Sequence, residues 1–377
     1  MNENKNLMII AGEVSGDLHG GSLVKELKKL DGNLSIYGIG GDKMKSEGME
    51  LAYHINKMAF LGFAEVVKHL PFIKRVQKDL IEIIKEKKIR NVVLIDYPGF
   101  NLNFAKRLKA LKLNIIYYIS PQVWAWGKSR INKIKNLVNK MIVVFPFEEK
   151  FYNDYGIEVE FVGHPLLERI NEYKFLSEDE LFEKFNLDKS KDILLILPGS
   201  RIHEVEKIFP ECIKAAEKLA SEFNLQIVTA GSPNIESEVY DKLSNKSGNK
   251  TITGFTYDLM KYAKLGIIKS GTSTLESALF ELPMVIVYRT GFITYSIGKN
   301  LVKVKNIGMA NIIAGEKVVP ELVQKEANAN SIYVECKKIL SNENLYSSTK
   351  QKLSKVKAKL GTEGASGKAA NLIYEML

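Results

Sequence analysis

The sequence predicts an α/β protein made of two doubly wound parallel sheets, and three observations predict it. Short apolar runs alternate with longer helical patterns along the chain. The runs lack polar alternation, which suits parallel strands covered by helices on both faces. The alternation then halts in a charged stretch from Glu168 to Asp192 and restarts beyond it. A length of 377 residues, set against roughly 150 per domain, likewise gives two to three domains.

Leu7 to Ala11 reads as the first strand. Leu23, Val24, Leu27 and Leu30 follow at helical spacing, and Ser35 to Ile39 reads as the second strand. Val92 to Ile95, Ile115 to Ile119, Met141 to Phe145 and Val159 to Val162 complete the first set of expected strands. After the connector come Ile193 to Leu197, Leu225 to Thr229, Leu265 to Ile268 and Met284 to Val287. The tail from Ala327 reads as helices broken at Gly361 and Gly364. Two such sheets are expected to face each other over a cleft, with ligands at the carboxyl ends of the strands.

Hydrophobic residues make up 45% and charged residues 26%, which excludes disorder and fibrous repeats. Lys and Arg exceed Asp and Glu, 54 to 44, for a net charge of +10 that invites an anionic partner or simply keeps a lysine-rich surface soluble. Nucleic acid is not the expected partner, because zinc-finger spacing, an RNP signature and a basic region leading into heptads are all missing. No apolar run approaches the roughly 20 residues of a membrane span, and no signal peptide is visible, so a cytoplasmic location is expected. Cys212 and Cys336 read as buried bystanders of a reducing compartment.

Chemistry is sought where strands end. The first strand runs into Gly12-Glu13-Val14-Ser15-Gly16-Asp17, a loop that offers backbone N–H groups to a ligand or makes a tight turn capped by Ser15 or Asp17. It matches neither the phosphate loop nor the dinucleotide fingerprint. Val92 to Ile95 delivers Asp96, followed by Tyr97-Pro98-Gly99-Phe100-Asn101, so that Asp96 reads as a general base or as a cap. Ser120 to Trp126 holds both tryptophans of the chain and reads as a ligand wall, a membrane rim or ordinary packing.

In the second half, Gly199-Ser200-Arg201 ends a strand with a flexible turn and a guanidinium suited to a diphosphate, or with a turn and a solvated arginine. Ser270-Gly271-Thr272-Ser273-Thr274-Leu275-Glu276 opens a helix with small donors, and Glu276 suits ribose hydroxyls. Ser273 and Glu276 also have the spacing of a capping box. Five scattered histidines and no Asp-x-Asp pair make metal chemistry unexpected. Met58, Phe60, Leu61, Phe63 and Phe72, interleaved with lysines and arginine up to Lys78, read either as an interfacial membrane surface or as a helix with an ordinary buried stripe.

Taken together, these segments resemble the lipid-A-disaccharide synthase family, glycosyltransferases of the GT-B fold. The resemblance is carried by 11–17, 95–101, 120–126, Gly163-His164-Pro165, Leu197 to Arg201 with Glu204, Ser270 to Glu276, and Asn311, in the family's order. It implies two Rossmann-like domains, 1–167 on the acceptor side and 168–340 on the UDP-sugar side, with helices 341–377 packing back on the first. It implies inverting transfer of 2,3-diacylglucosamine from its UDP conjugate to 2,3-diacylglucosamine 1-phosphate (lipid X), giving the β-1,6-linked disaccharide 1-phosphate and UDP.

By that likeness Asp96 is the base that takes the proton from the acceptor 6-hydroxyl; accepting it late, it can do so with an ordinary carboxylate basicity. Glu13, Ser15 and Gly16 line the acceptor side. Gly199, Ser200, Arg201, Ser270, Gly271, Thr272, Ser273, Thr274, Glu276 and Asn311 hold the nucleotide. No metal or other cofactor is expected, and a homodimer and peripheral attachment to the cytoplasmic face of an anionic inner membrane are. Some relatives carry Asp where this chain has Gly99. The rivals are a UDP-sugar 2-epimerase, the peptidoglycan glycosyltransferase of the same fold, and a catalytically silent binding protein.

Overall fold

The computed structural model describes residues 5–58, 69–124, 129–244, 248–290 and 306–377. Its first sheet contains β1 (Asn6–Ala11), β2 (Ser35–Gly40), β3 (Glu50–His54), β4 (Asn91–Ile95), β5 (Asn114–Tyr118), β6 (Lys140–Val143) and β7 (Val159–Phe161). All pairs are parallel, in the order β3-β2-β1-β4-β5-β6-β7. The second sheet contains β8 (Asp192–Leu197), β9 (Leu225–Gly231), β10 (Lys250–Thr253), β11 (Ala263–Lys269), β12 (Met284–Tyr288) and β13 (Glu321–Val323). It repeats the pattern as β10-β9-β8-β11-β12-β13, again all parallel. Two doubly wound α/β units are therefore present, as the alternation of apolar runs requires.

Burial explains why these strands form. Every residue of β4 is buried, as are five of the six residues in both β1 and β8, because helices cover both faces of each sheet. The strands absent from the sequence reading are β3, β10 and β13. They are short, and their residues are mostly half-buried or exposed, so they carry no continuous apolar run.

The chain divides into a first unit, Met1–Glu168 with Leu360–Leu377, and a second unit, Arg169–Lys359. The return to the first unit falls at Leu360 rather than at 341. Helix Glu343–Lys359 packs on helices Thr272–Leu279 and Met309–Ala314, and Lys359 Nζ donates to the carbonyl of Ala314 at 2.7 Å. Beyond it, His164 N–H donates to the Leu360 carbonyl at 3.1 Å and Ser366 N–H to Glu168 Oε1 at 2.8 Å. Helix Ala365–Tyr374 then lies on helix Val14–Leu30 of the same chain. Cys212 and Cys336 are both buried in the second core, where burial pushes their thiols up and keeps them unreactive.

Candidate functional site

In each sheet the strand order reverses direction at one point, between β1 and β4 in the first and between β8 and β11 in the second. Loops at the carboxyl ends of strands flanking such a point splay apart and leave room for a ligand. The four loops concerned are those of Glu13, Asp96, Arg201 and the segment from Ser270, so both switch points coincide with the strand-end motifs.

In the first unit, Asp96 and Tyr97 both have left-handed backbones, with φ of 42° and 44°. Two such residues in succession, neither of them glycine, store strain of the kind that gathers at functional sites. The surrounding structure holds them in place. Asn101 Nδ2 donates to the carbonyls of Ile95 at 3.1 Å and Asp96 at 2.8 Å, and Tyr117 Oη donates to the Asp96 carbonyl at 2.5 Å. Tyr97 Oη donates to the Met58 carbonyl at 3.0 Å, and its ring covers Gly12 so closely that a Cβ there would lie 2.1 Å from it. Only glycine can occupy that turn.

Burial, reinforced by the nearby Glu13 carboxylate, pushes Asp96 up to about 7. An ordinary basicity would have sufficed for late proton transfer, and the raised value lies where a general base works best near neutrality. Glu13 is exposed and Ser15 half-buried at the start of helix Val14–Leu30. Gly16 instead serves close packing, since a Cβ would stand 3.2 Å from that of Ala11. Asp17 does not cap its own helix. Its buried carboxylate accepts from the N–H groups of Gly41 at 2.6 Å, Lys43 at 3.1 Å and Met44 at 3.1 Å, pinning the next helix.

In the second unit a cavity of about 480 Å³ opens beside the switch point. Gly199, Ser200 and Arg201 line one part of it, and Gly271, Thr272, Ser273 and Glu276 another. Gly199 has a φ of 122° and its missing Cβ leaves space for Glu204, whose Oε2 would stand 2.8 Å away. Glu204 in turn pairs with Lys269 Nζ at 2.9 Å and lies 3.7 Å from Arg201. Glu276 accepts from Tyr257 Oη at 2.9 Å, and Arg169 lies over the Tyr257 ring at 5.3 Å. Burial raises Glu276, opposed by the Tyr257 hydroxyl and the Arg169 charge. Cations, uncapped helix starts at Ile202 and Thr272, and a held carboxylate suit a diphosphate joined to a sugar bearing hydroxyls.

Several expected positions have other duties. Ser273 Oγ donates to the Lys269 carbonyl at 3.3 Å and Glu276 turns to Tyr257, so the capping box does not form. Ser270 Oγ donates to the Ile307 carbonyl at 3.0 Å. Thr274 is fully buried, donating to the Gly271 carbonyl at 2.8 Å and accepting from Met309 N–H at 3.1 Å. Asn311 is corrected from ligand contact to brace. Its Nδ2 donates to Val319 O at 2.9 Å and Glu321 Oε1 at 2.8 Å, and its Oδ1 accepts from Val318 N–H at 2.8 Å and Val319 N–H at 3.0 Å.

Arg169 and Lys269, which line the pocket, and Tyr257, which holds Glu276, are residues that the sequence reading passed over. Lys269, directly after an apolar strand and before Ser270, carried the one usable signal.

Of the expected membrane residues, Met58 is corrected, because it is wholly buried in the first core. Phe72 is likewise half-buried, packed edge-on against Tyr53 at 5.9 Å. Its helix, Leu70–Glu86, buries Val76, Leu80 and Ile84 and exposes Lys74, Arg75 and Lys78, as an ordinary amphipathic surface helix does. Phe60, Leu61 and Phe63 lie outside the described residues, as does Trp126. Trp124 is packing rather than rim: it is buried, and its indole N–H donates to Glu148 Oε1 at 3.2 Å. Among the described residues no group of three or more His, Cys, Asp or Glu side chains is placed to hold a metal, and no helix is long and apolar enough to cross a membrane.

The family model described as lipid-A-disaccharide synthetase matches residues 7–375. The chain is 40% identical to lipid-A-disaccharide synthase of Geobacter sulfurreducens, covering 100% of this chain and 98% of the relative. It is 38% identical to that of Syntrophus aciditrophicus, covering 99% and 98%. Solved structures share the fold at low identity. UDP-GlcNAc 2-epimerase from Neisseria meningitidis, bound to UDP-GlcNAc, superposes with a TM-score of 0.68 at 11% identity, covering 98% of this chain and 100% of that one. The calicheamicin glycosyltransferase CalG4 superposes with a TM-score of 0.64 at 14% identity, covering 100% and 98%.

Proposed function

The chain belongs to the lipid-A-disaccharide synthase family of GT-B glycosyltransferases, and from that premise we propose that Asp96 is the base of its hexosyl transfer. The enzyme moves 2,3-diacylglucosamine from UDP-2,3-diacylglucosamine to lipid X. The acceptor 6-hydroxyl oxygen bonds to the donor anomeric carbon with inversion. The bond from that carbon to the diphosphate breaks, its electron pair leaves on UDP, and the hydroxyl proton passes to Asp96.

The observation that carries this reading is the raised basicity of Asp96 at the first switch point, imposed by burial and by Glu13. A base near 7 is half ionised at neutrality, yet takes a proton more readily than an ordinary carboxylate. On the donor side, Arg201, Lys269 and the start of helix Thr272–Leu279 receive the charge that develops on the leaving diphosphate. Glu276, held by Tyr257, accepts from ribose hydroxyls. Neither task calls for a metal, and peripheral attachment to an anionic membrane and dimerisation complete the proposal.

Epimerases of the same fold share it at 14% identity or below, which speaks to architecture alone. Mixing UDP-2,3-diacylglucosamine with and without lipid X separates the two chemistries. Transfer requires both sugars for UDP release and yields the disaccharide, with or without a chelator. UDP release or donor isomerisation without lipid X would contradict it, and loss of activity on chelation would contradict metal-free transfer.

A further inference from the structure

We propose that the pocket between helices Pro98–Ala110 and Arg130–Leu137 binds the phosphate monoester of the acceptor. This deepens the function proposed above and rests on it. Gly99, Asn103 and Lys106 are spaced by four and three residues, so they share one helical face. Arg130 and Lys133 are three apart on the second helix, which packs against the first. These five residues line a cavity of about 200 Å³ that receives three cationic side chains and no carboxylate. No side chain caps the start of helix Pro98–Ala110, so its first-turn N–H groups add donors at the same end. A Cβ built on Gly99 meets nothing within 4 Å, and the residue leaves the mouth open.

The position suits the acceptor. The first of these helices begins two residues after Asp96, so an anion held there is tied to the loop of the base. Arg130 lines the pocket together with Pro98, two residues after Asp96, and the Asp96 carbonyl accepts from Tyr117 Oη at 2.5 Å. A phosphate monoester carries between one and two negative charges near neutrality, and three cations with uncapped N–H groups complement it.

An anionic lipid headgroup offers similar chemistry, and the experiment separates the two sources. Binding of lipid X and of its phosphate-free counterpart, 2,3-diacylglucosamine, is measured in neutral detergent micelles for the wild type, a Lys106→Ala/Lys133→Ala variant and Lys106→Glu. The double variant weakens lipid X binding by roughly tenfold or more and leaves the phosphate-free sugar unaffected. Lys106→Glu, which keeps Lys133 and reverses one charge of the pocket lining, gives the same phosphate-selective loss.

Equal loss for both sugars, or no loss, overturns the assignment. So does a fall in binding to phosphatidylglycerol vesicles while lipid X affinity in micelles is unchanged. A wild type that prefers lipid X over its phosphate-free counterpart yet forms no disaccharide keeps the pocket and discards glycosyl transfer. One that uses both acceptors with equal KM keeps transfer and discards the pocket.

Discussion

Glu13 and Asp96 end neighbouring parallel strands at the reversal point of the first sheet, and the charge of Glu13 helps burial hold Asp96 near 7. The base is active when deprotonated, so kcat/KM rises with pH through about 7 on its acid limb. Glu13→Gln removes the like charge and moves that limb to lower pH. It stays above the usual carboxylate range, because burial is the larger cause. A pH–rate profile of both proteins checks this, and an unmoved limb would detach Glu13 from the base.

The same shift affects stability. Asp96 titrates at 3.8 when unfolded and about 7 when folded, so the fold penalises its charged form and loses stability as pH rises between those values. Asp96→Asn is therefore more stable than the wild type at pH 8, on the order of 2 kcal/mol after discounting partial exposure, and equal to it below both values. Denaturant titrations at pH 8 and pH 3.5 measure the difference.

The sequence made the core legible where physics left a continuous trace. Nine of the ten strands read from the sequence are mostly buried under helices, whereas β3, β10 and β13 sit at sheet edges and mix polar with apolar residues, as does the tenth, the edge strand β7. Asp96, Arg201 and Glu276 could be picked out because they follow apolar strands directly or open the next helix. Asn311 could not be told from a ligand contact, since its four partners at 318–321 appear only after the chain turns back. Arg169 was hidden in a charged connector, and the pairing of Lys269 with Glu204 spans 65 residues that no local pattern links.

Asn311→Ala consequently acts as a stability variant. It strips four hydrogen bonds from a buried turn and should lower unfolding free energy by roughly 2–4 kcal/mol. Thermal unfolding with and without UDP tests this. A large loss of UDP affinity at unchanged stability would return Asn311 to the ligand.

Glu276 is assigned to ribose, held in place by Tyr257. UDP binds the wild type more tightly than 2′-deoxy-UDP or 3′-deoxy-UDP, and Glu276→Ala removes at least one of these preferences, roughly five- to tenfold. Tyr257→Phe weakens the same preference partially. Calorimetry with the three nucleotides reads the effect, and preferences that survive in Glu276→Ala would move the carboxylate away from the sugar.

The most direct test of the account is the turnover of Asp96→Asn with both acylated sugars saturating, alongside its affinity for UDP. UDP affinity should match the wild type while disaccharide formation falls by roughly 10² or more. Near-normal turnover would show that the proton leaves by another route and that Asp96 is not the base.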